Sequence, residues 1–231
     1  MFRMNSSINL DLKNEKDNQI KAVLFDMDGV LLDTEKVCKK TWEIAAAEFG
    51  LEKIEEAFYK CEGTNRHDTE IILEKYFGEK IPPEKFRERT SELFYVVEKE
   101  QGLEKKPFVV ECLSALKSKD YRIALASSTR GESVRRQLKN AGIIDFFETL
   151  TTGDLVEHLK PAPDIYLKAA SSLNLSPEEC VAVEDSPNGV RAAAAAGIKC
   201  VMVPDLIQPD EEMRKIAWKI LPSLKDLDKE I

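Results

Sequence analysis

The strongest constraint on the fold is a short apolar run that ends in acid. Ala22-Val23-Leu24-Phe25 is followed at once by Asp26, Asp28 and Gly29, within the stretch KAVLFDMDGVLLDTE. A continuous apolar run closed by a turn residue suits a strand buried on both faces, as in a parallel sheet. Gly29 lets the chain turn sharply, so both carboxylates fall beside the strand's C-terminal edge, where open α/β sheets bind ligands. Side chains i and i+2 of an extended chain share a face, so Asp26 and Asp28 point the same way. At about 4 Å and an effective dielectric of about 20 they would repel by roughly 4 kcal/mol, and a cation, a proton or solvent must intervene. Taken alone, D-x-D fits two solvated loop aspartates equally well; partners further along the chain decide.

A buried strand needs neighbours, and the second half of the chain supplies them. Strands are predicted over 122–126, 147–151, 180–184 and 199–203, with helices over 132–140, 163–172 and 188–196, the last stopped by Gly197. This alternation implies right-handed crossovers and a Rossmann-like α/β fold, a parallel sheet with helices on both faces. Between the first strand and this region no convincing strand occurs. Helices are predicted over 34–49 with Gly50 as C-cap, over 52–60, over 67–77 stopped by Gly78, and over 83–101 with Pro at its start. A further helix, 108–119, follows Pro107. The organisation read from this is a polar, flexible N-terminal extension (1–20), an α/β core (21–33 and 106–231) and an all-α cap inserted at 34–105, with Thr34 and Glu35 at the hinge.

The chain has 231 residues, a net charge of −8 and 43% hydrophobic residues, enough to bury a real core. Its basic residues are dispersed, which argues against a nucleic-acid groove or a membrane patch. Cys38, Cys61, Cys112, Cys180 and Cys200 form no C-x-x-C pair, and an odd count argues for thiols in a reducing compartment. With no apolar run approaching a membrane span and no signal-peptide pattern, the expectation is a soluble, cytoplasmic protein, with nothing demanding more than a monomer.

Later strand ends carry polar residues where a functional edge would lie. Ser127-Ser128-Thr129-Arg130-Gly131 leads into a helix N-terminus, Lys160 precedes another, and Glu184-Asp185 closes the fourth strand. In order this gives D-x-D, Ser, Lys and E-D. The set resembles the haloacid dehalogenase superfamily, and FDMDGVLLDTE, ALASSTR, KPAPDIY and VEDSPNGVRAAAAAG are similar to its phosphatase and phosphoglucomutase-like branch. The resemblance implies that Asp26 is the nucleophile forming an aspartyl-phosphate, and that Asp28 is general acid and then general base. It implies Mg²⁺ held by Asp26, the Asp28 carbonyl and the Glu184–Asp185 pair, with Asp185 as the direct ligand of the two. It implies that Ser127 and Lys160 grip phosphoryl oxygens, that Ser128 and Thr129 contact phosphate or cap the helix, and that cap Arg66 and core Arg130 meet a second substrate phosphate. His67 and His158 read as helix-start and loop residues.

The implied activity is hydrolysis of a small phosphorylated metabolite of the sugar-phosphate kind. A β-phosphoglucomutase-type mutase is the alternative enzyme, although Cys38 stands where that enzyme carries a histidine. A dehalogenase proper would lack the second aspartate. A non-catalytic, phosphorylation-dependent regulatory module shares the residue types, but its acidic pair follows the first strand and it has no room for a cap.

Overall fold

The computed structural model describes residues 19–61 and 66–231, with no side chain described for Arg66. The expected extension falls almost entirely on residues 1–18, outside the described residues. Six strands form one sheet: β1 (Ala22–Phe25), β2 (Arg122–Ser127), β3 (Thr149–Thr152), β4 (Cys180–Glu184), β5 (Lys199–Met202) and β6 (Lys219–Ile220). Their order is β3-β2-β1-β4-β5-β6 and every pairing is parallel. The opening run is thus the centre of the sheet. Phe25 lies between Leu125 of β2 and Val183 of β4, and the next residue continues the ladder, with Asp26 N donating to the Val183 carbonyl at 3.0 Å. Neighbours on either side of β1 lead the chain in opposite directions, which opens a crevice at its C-terminal end.

After β1 come four helices, α1 (Thr34–Phe49), α2 (Ile54–Cys61), α3 (Arg66–Phe77) and α4 (Pro83–Gln101). They bury their own apolar cluster, including Ala45, Ala46, Leu73, Phe77 and Phe86. Trp42 meets Phe58 and Phe86 edge-on at 5.3 and 5.2 Å, contacts worth about 0.5–1.5 kcal/mol each beyond their burial. The chain enters and leaves this block side by side, because Asp33 N donates to the Glu104 carbonyl and Lys106 N to that of Leu31, each at 2.9 Å.

The remaining helices are α5 (Val109–Ser118), α6 (Gly131–Asn140), α7 (Asp164–Ser172), α8 (Pro187–Ala195), α9 (Glu211–Ile216) and α10 (Leu227–Glu230). Strand alternation sorts the core in two. Val23, Phe25, Ile123, Leu125, Val181 and Val183 pack with Leu113, Leu116, Val134 and Leu138 of α5 and α6. Ala22, Leu24, Ala124, Ala126 and Ala182 pack with Ile165, Tyr166, Ala169, Val190 and Ala193 of α7 and α8. Small strand residues on this second face leave room for a large side chain, and Tyr166 takes it. Cys112, Cys180 and Cys200 are ordinary members of these cores.

Several boundaries differ from expectation by one or two residues, three of them informatively. Phe108 has φ +66°, which a helix interior excludes, so α5 starts one residue later. Phe147 N closes a tight turn on the Ile144 carbonyl, so β3 starts at Thr149, and β2 runs on to include Ser127. Beyond Val203, α9, the two-residue β6 and α10 are additions to the expected elements. Among the described residues no helix is long and apolar enough to cross a membrane.

The foot of the sheet depends on Glu179. It accepts from Lys21 Nζ at 2.5 Å and from Ser176 N at 2.9 Å, while its own carbonyl accepts from Lys21 N at 2.7 Å. The Lys21 hydrogen bond, then that of Ser176, draws the Glu179 carboxyl from 4.5 to about 2. A depressed folded-state value gives stability that is present above the ordinary value and lost as pH falls through the folded one. Glu179→Gln should therefore lower the urea midpoint at pH 7, and the gap from wild type should close as pH falls from 4.5 to 2. A gap that stays constant over that range would show that the charge contributes nothing.

Candidate active site

Asp26 follows β1, Ser127 ends β2, Glu184 ends β4 with Asp185 next, and Lys160 comes from the loop between β3 and α7. Parallel register brings these ends together. Asp26, Glu184 and Asp185 each place a carboxylate oxygen within 4.8 Å of the others. Lys160 Nζ lies 2.5 Å from Asp26 Oδ1, 2.7 Å from Glu184 Oε1 and 2.9 Å from the Ala126 carbonyl. An ammonium has three protons, and all three have acceptors in the protein. Direct contact of Lys160 with a phosphoryl oxygen would need one of these exchanged. Tyr166 completes the arrangement by donating its phenol to Glu184 Oε1 at 2.7 Å, its ring 5.1 Å from the ammonium.

Burial pushes the Asp26 carboxyl up to about 8, with Lys160 opposing and Glu184 and Asp28 reinforcing the rise. Burial, then Glu184 and Asp26, holds Asp185 well above the carboxylate range. For Lys160 burial works against the ammonium, but Asp26 and Glu184 outweigh it and keep the group charged. Two buried acids and the half-buried Asp185 crowd around one ammonium. Such a cluster of oxygen donors fits a hard divalent cation, whose charge would restore the ionised form of all three.

Asp28 has different company. Its Oδ2 accepts from Thr129 Oγ1 at 2.8 Å and lies 3.5 Å from Ser127 Oγ, which itself accepts from Thr129 N at 3.1 Å. Burial raises the Asp28 carboxyl and the Thr129 hydrogen bond opposes the rise. Ser127 is fully buried, whereas Ser128 and Arg130 are exposed, Arg130 as the N-cap residue of α6. Arg66 opens α3, and its side chain lies outside the described residues. Asp28 and Thr129 line a cavity of about 840 Å³ bounded by α1, α4 and α6, with Cys38 and Trp42 also in its wall.

A family model described as haloacid dehalogenase-like hydrolase matches residues 23–203. The chain belongs to this family.

Among its hydrolase relatives is the phosphorylated carbohydrates phosphatase of Thermotoga maritima, 36% identical over 180 residues that cover 78% of this chain and 83% of that protein. Beta-phosphoglucomutase of Bacillus subtilis is 30% identical, covering 80% and 83%. The crystal structure of CbbY from Rhodobacter sphaeroides in complex with phosphate is 27% identical and superposes with a TM-score of 0.74 over 90% of this chain and 96% of that one. The chain is a phosphatase-type haloacid dehalogenase-like enzyme.

Two glycines make the acid cluster possible, and sequence reasoning saw only one of them, as a turn residue. Gly29 has φ +76°, and a Cβ there would sit 2.2 Å from Asp185 Oδ2. A Cβ on Gly189 would sit 1.9 Å from Glu184 Oε1, so α8 can pass over that carboxylate only with hydrogen at this position. Gly189→Ala should destabilise the protein by about 1–3 kcal/mol in urea unfolding, the usual cost of overpacking. An unchanged midpoint would mean that Glu184 is not fixed where it lies.

Proposed function

We propose that the enzyme hydrolyses a small phosphorylated metabolite of the sugar-phosphate class through an aspartyl-phosphate on Asp26, with Mg²⁺. The observation that carries this reading is a pair of carboxylates in unlike company: Asp26 bound to an ammonium, Asp28 bound to hydroxyls at the wall of a cavity. Groups so divided suit a nucleophile and a proton carrier. Lys160 holds Asp26 Oδ1, leaving the second oxygen for attack on phosphorus as the ester P–O bond breaks. Asp28, protonated, gives its proton to the departing alkoxide. As carboxylate it then takes a proton from water, whose oxygen attacks phosphorus and returns Asp26 as carboxylate with free phosphate.

Asp26, Asp185 and the Asp28 carbonyl would hold the metal. When bound it would offset charge on the phosphoryl oxygens. Glu184 already accepts from Tyr166, Lys160, Ser186 Oγ and Asp185 N, which suits a residue that fixes Lys160. The phosphatase relative in Thermotoga supports the substrate class. Residues 34–105 serve as a cap over a core of 21–33 and 106–231, and their separate apolar cluster supports that division. Cys38 in the cavity wall favours hydrolysis over mutase chemistry, since a thiol cannot replace an imidazole as cation and donor.

The test is a screen of phosphorylated sugars, polyols and nucleotides with Mg²⁺ or EDTA, scoring both phosphate release and isomerised sugar. Phosphate release that EDTA abolishes is expected; isomerisation would move the assignment to the mutase. Asp26→Asn should lose at least about a thousandfold in kcat while still folding, as a cooperative melting curve with a lowered midpoint would show. Asp28→Asn mixed with 4-nitrophenyl phosphate should release a burst of nitrophenol and gain the mass of one phosphoryl group, because a good leaving group needs no acid while water still needs a base. Absence of that adduct would argue for direct attack by water.

A further inference from the structure

The cavity that holds Asp28 has a second polar wall, built across α4 and α6. Glu98 of α4 is 3% exposed, and Arg136 of α6 clasps it through Nε to Oε1 at 2.7 Å and Nη2 to Oε2 at 2.9 Å. Gln137, 5% exposed, donates Nε2 to the same Oε2 at 3.2 Å. That bond fixes the amide, since the reverse orientation would set its oxygen against a carboxylate. Gln137 Oε1 is left as a buried acceptor with no partner, in a residue that lines the cavity. Such an atom costs about 1–3 kcal/mol unless something donates to it.

The neighbouring groups say what kind of donor fits. Arg136 is paired with Glu98, and Arg87 with Glu70, so neither guanidinium in the cavity wall stands uncompensated to attract a second phosphate. Between them the wall presents the hydroxyls of Ser91 and Ser133, with Thr90 Oγ1, whose proton goes to the Arg87 carbonyl at 3.0 Å, as a further acceptor. Groups that both donate and accept, beside a neutral acceptor, match an uncharged, hydroxyl-rich partner.

We infer that Gln137 reads a hydroxyl on the alcohol part of the substrate, and that the enzyme is built for polyhydroxylated esters bearing one phosphate. This rests on the hydrolase reading, with Asp28 at the phosphoryl end of the cavity and Gln137 in the wall that receives the alcohol. The residue sets specificity and takes no part in bond cleavage.

The experiment compares kcat and KM for fructose 1-phosphate, fructose 1,6-bisphosphate and phenyl phosphate, with Mg²⁺, in wild type, Gln137→Met and Gln137→Leu. In the variants kcat/KM for fructose 1-phosphate should fall about tenfold, the value of one neutral hydrogen bond, while phenyl phosphate changes less than twofold. Wild type should prefer fructose 1-phosphate to the bisphosphate. Equal losses on the sugar and phenyl esters, no loss on either, or a preference for the bisphosphate would each overturn the inference and leave hydrolysis intact. Urea midpoints identify a misfolded variant, and the other then decides. If wild type released phosphate from none of the three esters, the hydrolase reading would fall and the inference with it.

Discussion

Lys160 is the charge on which the arrangement of this molecule turns. An ammonium buried at the C-terminal edge of a sheet is tolerable only with acceptors close by, and Asp26, Glu184 and the Ala126 carbonyl come from the ends of three different strands. Losing either acid would leave a buried charge short of a partner, at a cost of about 3–5 kcal/mol. The strands must therefore end together. Parallel register around β1 makes them do so, and the same coincidence concentrates more carboxylate than one ammonium can neutralise. Stability and chemistry make opposite demands here: the acids that secure Lys160 are, with Asp185, a surplus of negative charge that suits a metal and a phosphoryl group.

What could be read in the sequence followed from period and punctuation. β1 and β4 fall on the expected residues because fully buried strands are continuous apolar runs, and α1 and α4 because Gly50 and a leading proline mark their ends. Asp26, Asp28, Glu184 and Asp185 stand out because each sits where a strand meets a loop, and Lys160 because it stands in the loop after a strand, just before a helix. Residues that act from inside regular elements left no such mark. Tyr166 reads as one more apolar position of α7, yet its hydroxyl orients Glu184. Gly189 reads as a helix residue, and its missing side chain matters only once β4 lies beneath it. Thr129 was an even choice between cap and ligand, and only the fold shows its hydroxyl on Asp28. β6 escaped because two residues carry no periodicity.

The helical block raises a different question, since nothing in its own packing requires the sheet. It joins the rest through two adjacent chain segments paired at Asp33–Glu104 and Leu31–Lys106, a narrow attachment that leaves its orientation to side-chain contacts. Glu98 supplies one such contact. A bidentate guanidinium–carboxylate pair is directional, so the bond from α4 to Arg136 fixes how the block lies over α6 as well as how far away. Tyr95, one turn earlier on α4, stacks against the same guanidinium at 5.2 Å and narrows the choice further.

That clasp and the cavity are two descriptions of one geometry. The cavity wall is made by α4 facing α6, so it exists only while the helical block lies against the core, and the groups that hold it there are themselves wall residues. A ligand that donates to Gln137 would strengthen a network already joining the two helices, because the amide it contacts is bonded to Glu98. Occupation and closure are then coupled through a single side chain. The end that holds Asp26, Ser127 and Glu184 needs no such coupling, since β1, β2 and β4 fix these residues whatever α4 does. On the proposed reading, reactivity then belongs to the sheet and selectivity to the contact between the helices.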